Sequence, residues 1–345
     1  MSRFHLRKLN HPSRDEASAR RPGQGTKARR KHELGDSSRH NSIIFLGTTI
    51  AFLFSLASCN AQPAVSDSAA HKKEIEEWRQ QRLTRLTSET GWLTLIGLEW
   101  LEEGENKCGS GPGNSVPLPA DRAPEALGSF WKVGEQVRFE AASGVKVFAD
   151  DTLITSVDLR NDSHEAGPTM LRHETLRLYV IKRGDQLGIR IKDSQSKTRA
   201  EFKGLEYFPI DTTWRVRAHF NRFETPRVVQ VPALSGPPQT FSFPGVLAFT
   251  LEGKQLQLLA AVEEGADGTL FLMFGDETNG LETYGAGRQL YTPLPDDSGN
   301  VVIDFNKAYN WPCVFTEFAT CPIHPDENQL PIRVEAGEQA PRSKH

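Results

Sequence analysis

The sequence predicts a mostly β body, built as an antiparallel sandwich or distorted barrel, behind one N-terminal amphipathic helix. Three observations carry that expectation. From about Phe130 onward, apolar residues recur at every second position in short runs. Turn residues separate the runs, drawn from 28 Gly and 21 Pro. Only one segment, Lys73–Glu89, has its apolar residues at helical spacing. No βαβ rhythm and no internal repeat stand out, which argues against a parallel α/β architecture.

In the helical segment, Ile75, Trp78, Leu83 and Leu86 mark the apolar face. Glu74, Glu76 and Glu77 lie near its start and Arg82 and Arg85 nearer its end, which suits the helix dipole. Gly91 then stops it. Two apolar pieces follow, at 92–96 and 98–101, and Gly104–Pro119 reads as loop because Gly and Pro crowd it. Leu176, Leu178 and Val180 alternate before Gly184-Asp185, and Leu187, Ile189 and Ile191 alternate after it, the signature of a hairpin. Trp214–Phe220 is a further alternating strand, and Val246–Leu251 with Leu256–Val262 makes a second hairpin around Gly253. Thr269–Phe274 reads as a buried strand, and Val301, Ile303 and Phe305 continue the pattern. Pro232–Pro244 either separates two β subdomains or is a long connection within one.

The N-terminal 58 residues have a different character. Residues 1–41 hold eleven Lys or Arg against four Asp or Glu, so the arm is +7 and the rest of the −3 chain is −10. Ile43–Ala57 is uncharged and mostly apolar. As a helix it would span ~22 Å, short of a ~30 Å hydrocarbon core. A short apolar run behind a basic region reads as a signal peptide. The run ends Leu56-Ala57-Ser58-Cys59, which resembles the lipobox of bacterial lipoproteins. The resemblance implies removal of 1–58, lipidation (palmitate) of Cys59, and a membrane-anchored body in the periplasm-facing cell envelope. Residues 59–71 are then a polar tether and 72–340 the β-rich domain. The alternatives are ordinary secretion with cleavage near Ala61, or an uncleaved anchor. Nucleic-acid binding is not expected, because the basic arm precedes an export signal and the acidic body repels phosphates.

Cys313 and Cys321 enclose seven residues and pair in an oxidising compartment, leaving Cys108 free. No paired-cysteine or His-Glu-x-x-His spacing for a metal occurs, and neither a metal nor a cofactor is expected. Gly275–Gly280 and Gly109–Gly113 lack the Lys of a phosphate loop.

Three runs toward the C-terminus carry a resemblance: GRQLY at 287–291, DFNKAYNWPC at 304–313 and TCPIHPDENQLPIRVEAGE at 320–338. Together with Trp92–Leu101 and Phe202–Pro209, they resemble an uncharacterised bacterial family, a domain of unknown function, over roughly 75–338. Where that family has Asn-Pro-Pro-Cys, this chain has Asn310-Trp311-Pro312-Cys313. The resemblance implies the domain and brings no activity with it.

Among the C-terminal loops, Arg288 is the sharpest candidate for a ligand, because a guanidinium offers a planar fork to an anion. Tyr284, Asn306, Tyr309 and Asn310 complete the expected binding set, with a small anionic molecule as ligand. The structural alternative is an internal pair of Arg288 with Asp276 or Asp304, and Asn side chains that order their own loops. Asp276 and Asp304 could form an acid/base pair, but carboxylates in turns more often cap backbone N–H groups. Cys313 with His324 as base is a second hydrolytic arrangement, which a Cys313–Cys321 bond would remove. A binding module therefore leads, ahead of an envelope hydrolase in the same pocket and of a structural envelope protein.

Overall fold

A computed structural model describes residues 68–262 and 268–341. The arm, the apolar run and Cys59 lie outside the described residues. Among the described residues, no helix is long and apolar enough to cross a membrane.

Among the described residues the chain is mostly β, in four sheets, with one long helix at the N-terminal side, and no sheet closes into a barrel. The helix runs Ser68–Thr87, so residues 68–71, expected from the sequence as tether, belong to it. Its buried residues are His71, Ile75, Arg82 and Leu86, spaced by 4, 7 and 4. That spacing is the expected stripe, but two of its members are polar and Leu83 is only half-buried. Burial of the polar pair is tolerated because each meets an acid: His71 reaches Asp304 at 2.7 Å, and Arg82 reaches Glu338 at 3.3 Å. Gly91 ends the helical region for a steric reason as well, since an added Cβ would stand 2.2 Å from the Leu86 carbonyl oxygen.

The N-terminal half holds a six-stranded and a five-stranded sheet. The expected hairpin forms the heart of the first: Leu176–Arg183 pairs antiparallel with Gln186–Asp193, which pairs with Leu95–Trp100. Alternation then decides which side chains face the core. Leu176, Leu178, Val180, Leu187, Ile189 and Ile191 join one apolar cluster with Phe130 and Phe139 of the five-stranded sheet. The intervening residues, Tyr179, Arg183, Arg190 and Lys192 among them, point to the opposite face.

Gly104–Gly109 is a strand, not the loop that its glycines suggest. It pairs with Gly128–Val133 and buries Asn106 and Cys108. The glycines sit at its two ends, where φ is +93° and +157°, so they shape the ends without interrupting the ladder.

The C-terminal half holds a four-stranded sheet, ordered Lys254–Ala260, Gln239–Leu251, Arg215–Val231 and Asn300–Asp304. Residues 232–238 join two strands that pair with each other from Val231↔Gln239 onward, so this Pro- and Gly-rich stretch is a connection inside one sheet. A three-stranded sheet joins Thr269–Phe274, Arg288–Pro293 and Tyr309–Asn310. Leu330, Ile332, Val334 and Ala336 from the last segment close the core between them.

Candidate functional site

The ligand set expected from the sequence does not converge on an opening. Arg288 starts the strand Arg288–Pro293 and has no exposed surface. Its Nη2 donates to Asp276 Oδ2 at 2.7 Å and to the Val334 carbonyl at 2.8 Å, and its Nη1 donates to the Ala336 carbonyl. Gly287 brings the strand in close: its φ is +87°, and a Cβ there would lie 2.4 Å from the Phe274 carbonyl oxygen. Asp276 is fixed in turn, because Oδ1 accepts from the Thr278 backbone and hydroxyl. The pair is a sealed clamp that ties the last segment to the sheet.

Asp304 is engaged elsewhere. Its Oδ1 caps the short helix Phe305–Lys307 by accepting from the Asn306 N–H, and its Oδ2 faces His71. Asp276 and Asp304 share no hydrogen-bond partner among the described residues, Asp276 being committed to Arg288 and Asp304 to His71. Asn306 and Asn310 are fully buried. Asn306 exchanges hydrogen bonds with the Asp211 backbone, and Asn310 donates to Glu338 and to the Gln339 carbonyl. Both amides order loops. Tyr284 is half-buried against an apolar cluster, where burial pushes its hydroxyl pKa up. Cys313 and Cys321 form a disulfide with Cα atoms 6.2 Å apart, so the thiol that His324 would activate is in a covalent bond. Cys108 is free and buried. Among the described residues, no cluster of His, Cys, Asp and Glu is arranged to hold a metal ion.

A cleft of about 680 Å³ opens elsewhere, between the C-terminal end of the helix, the outer face of the six-stranded sheet and the C-terminal loops. Tyr309 lines it; Tyr284, Arg288, Asn306 and Asn310 do not. Its apolar walls are aromatic: Trp92, Phe241, Tyr291, Tyr309 and Trp311. Its cations are Arg82, Arg85, Arg183 and Arg190.

The cations differ in how they are balanced. Arg82 pairs with Glu338 and lies 4.6 Å over the Tyr309 ring. Arg183 pairs with Asp162 at 2.9 Å. Arg85 is at the exposed rim. Arg190 is 5 % exposed, and no carboxylate among the described residues lies within ion-pair reach of it. Its Nη2 donates to Thr320 Oγ1 at 3.2 Å, its guanidinium lies 5.0 Å from the Trp92 centroid, and its buried Nε has no partner among the described residues. Lys192, two residues along the same strand face, is also buried; its ammonium donates to the Thr90 carbonyl and lies 5.6 Å from the Trp92 centroid. Burial, with the Arg190 charge adding to it, pushes the Lys192 pKa down to about 8.

Thr320 is the fixed point of this wall. Its hydroxyl accepts from both Arg183 and Arg190, and its carbonyl accepts from Gln239. The neighbouring Cys321 also lines the cleft, and the disulfide holds this loop. Gln289 faces the cleft at 7 % exposure with a side-chain amide that makes no hydrogen bond among the described residues. The buried Trp311 Nε1 likewise has no partner among the described residues. Such a wall suits an anion: a desolvated guanidinium without a counter-ion, polar groups in reserve, and flat apolar surfaces around them.

Arg190, Trp92 and Thr320 are not among the site residues expected from the sequence. Strand alternation does place Arg190 opposite Ile189 and Ile191, but an Arg on the outer face of a strand ordinarily meets solvent. The cover comes from residues about a hundred positions away in either direction, and nothing local announces it.

Residues 200–339 match the model of a family described as "Protein of unknown function (DUF1684)". The chain is similar to an uncharacterised protein from gene locus rrnAC0354 of Haloarcula marismortui, known from a solution NMR structure, at 33% identity over 41% of this chain and 78% of that one, with a TM-score of 0.35. A second similarity is to the crystal structure titled as the FhaA FHA domain complexed with the intracellular domain of Rv3910, at 13% identity over 28% of this chain and 97% of that one, with a TM-score of 0.20. No curated protein matches the sequence.

Proposed function

We propose that this chain, whose residues 200–339 match the family described as "Protein of unknown function (DUF1684)", is a lipid-anchored envelope protein whose β-rich body binds a small anionic molecule. The binding place is the cleft beside Arg190 rather than the Arg288 loop. One observation carries this reading: Arg190 is a buried cation with no carboxylate partner among the described residues, on the wall of a cleft large enough for a small molecule. Burying an unbalanced charge is costly, and an anion in the cleft offsets that cost. Asp276, Asp304 and Cys313 are each committed to other partners, so nothing in their geometry favours a hydrolase.

Two experiments test the two halves. Thermal unfolding of the full chain in detergent should shift upward with benzoate, because a ligand that binds only the folded state stabilises it. The shift should vanish in Arg190→Gln; an equal shift in both proteins would remove the cleft from the account. The anchor is supported by the Leu56–Cys59 motif at the end of an uncharged apolar run. Mass spectrometry should find diacylglycerol on Cys59, absent in Cys59→Ser and after globomycin. Acylated Cys59→Ser protein would refute the anchor.

A further inference from the structure

The cleft says more about its occupant than its sign of charge. Of the four cations that line it, two already have carboxylates and one sits at the exposed rim, so Arg190 is the one lining guanidinium that is buried and unbalanced; Lys192 adds a second buried positive charge beside it, outside the lining. A ligand group with one negative charge meets that lining guanidinium directly, and the Lys192 ammonium reinforces the field from behind. A polyanion would instead bring excess charge against Asp162 and Glu338, the acids that balance Arg183 and Arg82. The fork of a guanidinium matches a carboxylate, and Nη1 of Arg190 makes no hydrogen bond among the described residues.

Much of the rest of the wall is aromatic. Trp92 lies under the Arg190 guanidinium, and the lining rings of Trp311 and Tyr291 pack on the buried Phe271 behind them, at 5.9 Å and 5.0 Å between centroids. Phe241, half-buried, supplies a further ring from the four-stranded sheet. Rings arranged in this way favour other π-systems through offset or edge contacts, beyond what apolar area alone provides. Gln289 adds an amide able both to donate and to accept.

We infer that the cleft takes a monocarboxylate carried on an aromatic body, with the carboxylate on Arg190 and the ring among Trp92, Phe241 and Trp311. This rests on the anion-cleft reading and narrows it to one ligand class.

The test is calorimetric titration of the full chain in detergent with 2-naphthoate as probe. Three comparison compounds separate the contributions: decalin-2-carboxylate (same skeleton and charge, no π-system), 2-naphthalenemethanol (same rings, no charge) and inorganic phosphate. The naphthoate should bind about tenfold or more tightly than each of the three. Phe241→Leu should weaken naphthoate by about threefold to tenfold and leave the decalin acid nearly unchanged. The alcohol arm tests the charge on the wild-type protein, so it stands even if an Arg190 variant does not fold. Equal affinity for the decalin acid or for phosphate, with the alcohol still weak, overturns the aromatic monocarboxylate while the anion cleft survives. Equal affinity for the alcohol and the naphthoate overturns both.

Discussion

Arg288 and Asp276 face each other at 2.7 Å with neither side chain exposed. The Arg288 guanidinium also donates to two carbonyls of the final segment, Val334 and Ala336, so one buried charge fastens the chain's last core residues to the three-stranded sheet. Its role is structural. Arg288→Met should lower stability by about 3–5 kcal/mol, the usual effect of leaving a buried carboxylate unpaired. The paired change Arg288→Met with Asp276→Asn should recover part of the loss. Urea denaturation of the three proteins checks this, and a full loss retained in the double variant would contradict it.

The disulfide steadies the loop that presents Thr320 to the cleft. Cys313 and Cys321 are 8 positions apart. Closing a loop of that size contributes about 2–3 kcal/mol by restricting the unfolded chain. Cys313→Ser with Cys321→Ser should lower the urea midpoint accordingly. Thiol labelling after denaturation without reductant should mark Cys108 and spare the pair; labelling at Cys313 and Cys321 would show them reduced.

Lys192 gives a pH dependence with a definite sign. Its pKa falls from 10.5 to about 8 in the folded protein because burial disfavours the charged form. The unfolded chain therefore binds more protons between these values, and stability contributed by this residue rises with pH across that window. Below pH 8 the destabilising contribution is present in full. Relative to Lys192→Met, the wild type should gain on the order of 3 kcal/mol between pH 8 and pH 10.5. Urea midpoints of both proteins across that range measure it. A flat difference would mean that Lys192 keeps an ordinary pKa. Anion binding should weaken as pH rises through the same region, because the ammonium beside Arg190 loses its charge.

The helix is held at its first turn by His71 Nε2 against Asp304 Oδ2. His71→Ala should cost about 1–2 kcal/mol and speed hydrogen exchange in that turn. Exchange near Thr320 should not change, since that wall takes no hydrogen bond from His71. Faster exchange at both places would show that the helix and the cleft loop open together.

Much of the fold is legible in the sequence because alternation is a local property. Leu187, Ile189 and Ile191 on one side of Gly184-Asp185, and Leu176, Leu178 and Val180 on the other, predict a hairpin, and those strands pair as expected. Gly104–Gly109 departs from its expected loop because its glycines only bracket the strand, while Asn106 and Cys108 carry the inward face. The helix face departs in part because His71 and Arg82 are buried through acids more than two hundred residues away. The same holds for the candidate site. The guanidinium fork of Arg288 suggests an anion, but Gly287 brings the Phe274 backbone against that strand and the fork is taken up by Asp276 and two carbonyls. Arg190 carries no such local signal, since its cover by Trp92 and Thr320 exists only after distant parts of the chain have packed.

The most direct test of the cleft is a crystal structure of the protein soaked with benzoate. A carboxylate is expected within hydrogen-bond reach of Arg190 Nη1, with the ring beside Trp92, and an empty cleft in Arg190→Gln under the same soak. Benzoate seated away from Arg190, or unchanged occupancy in the variant, would contradict it.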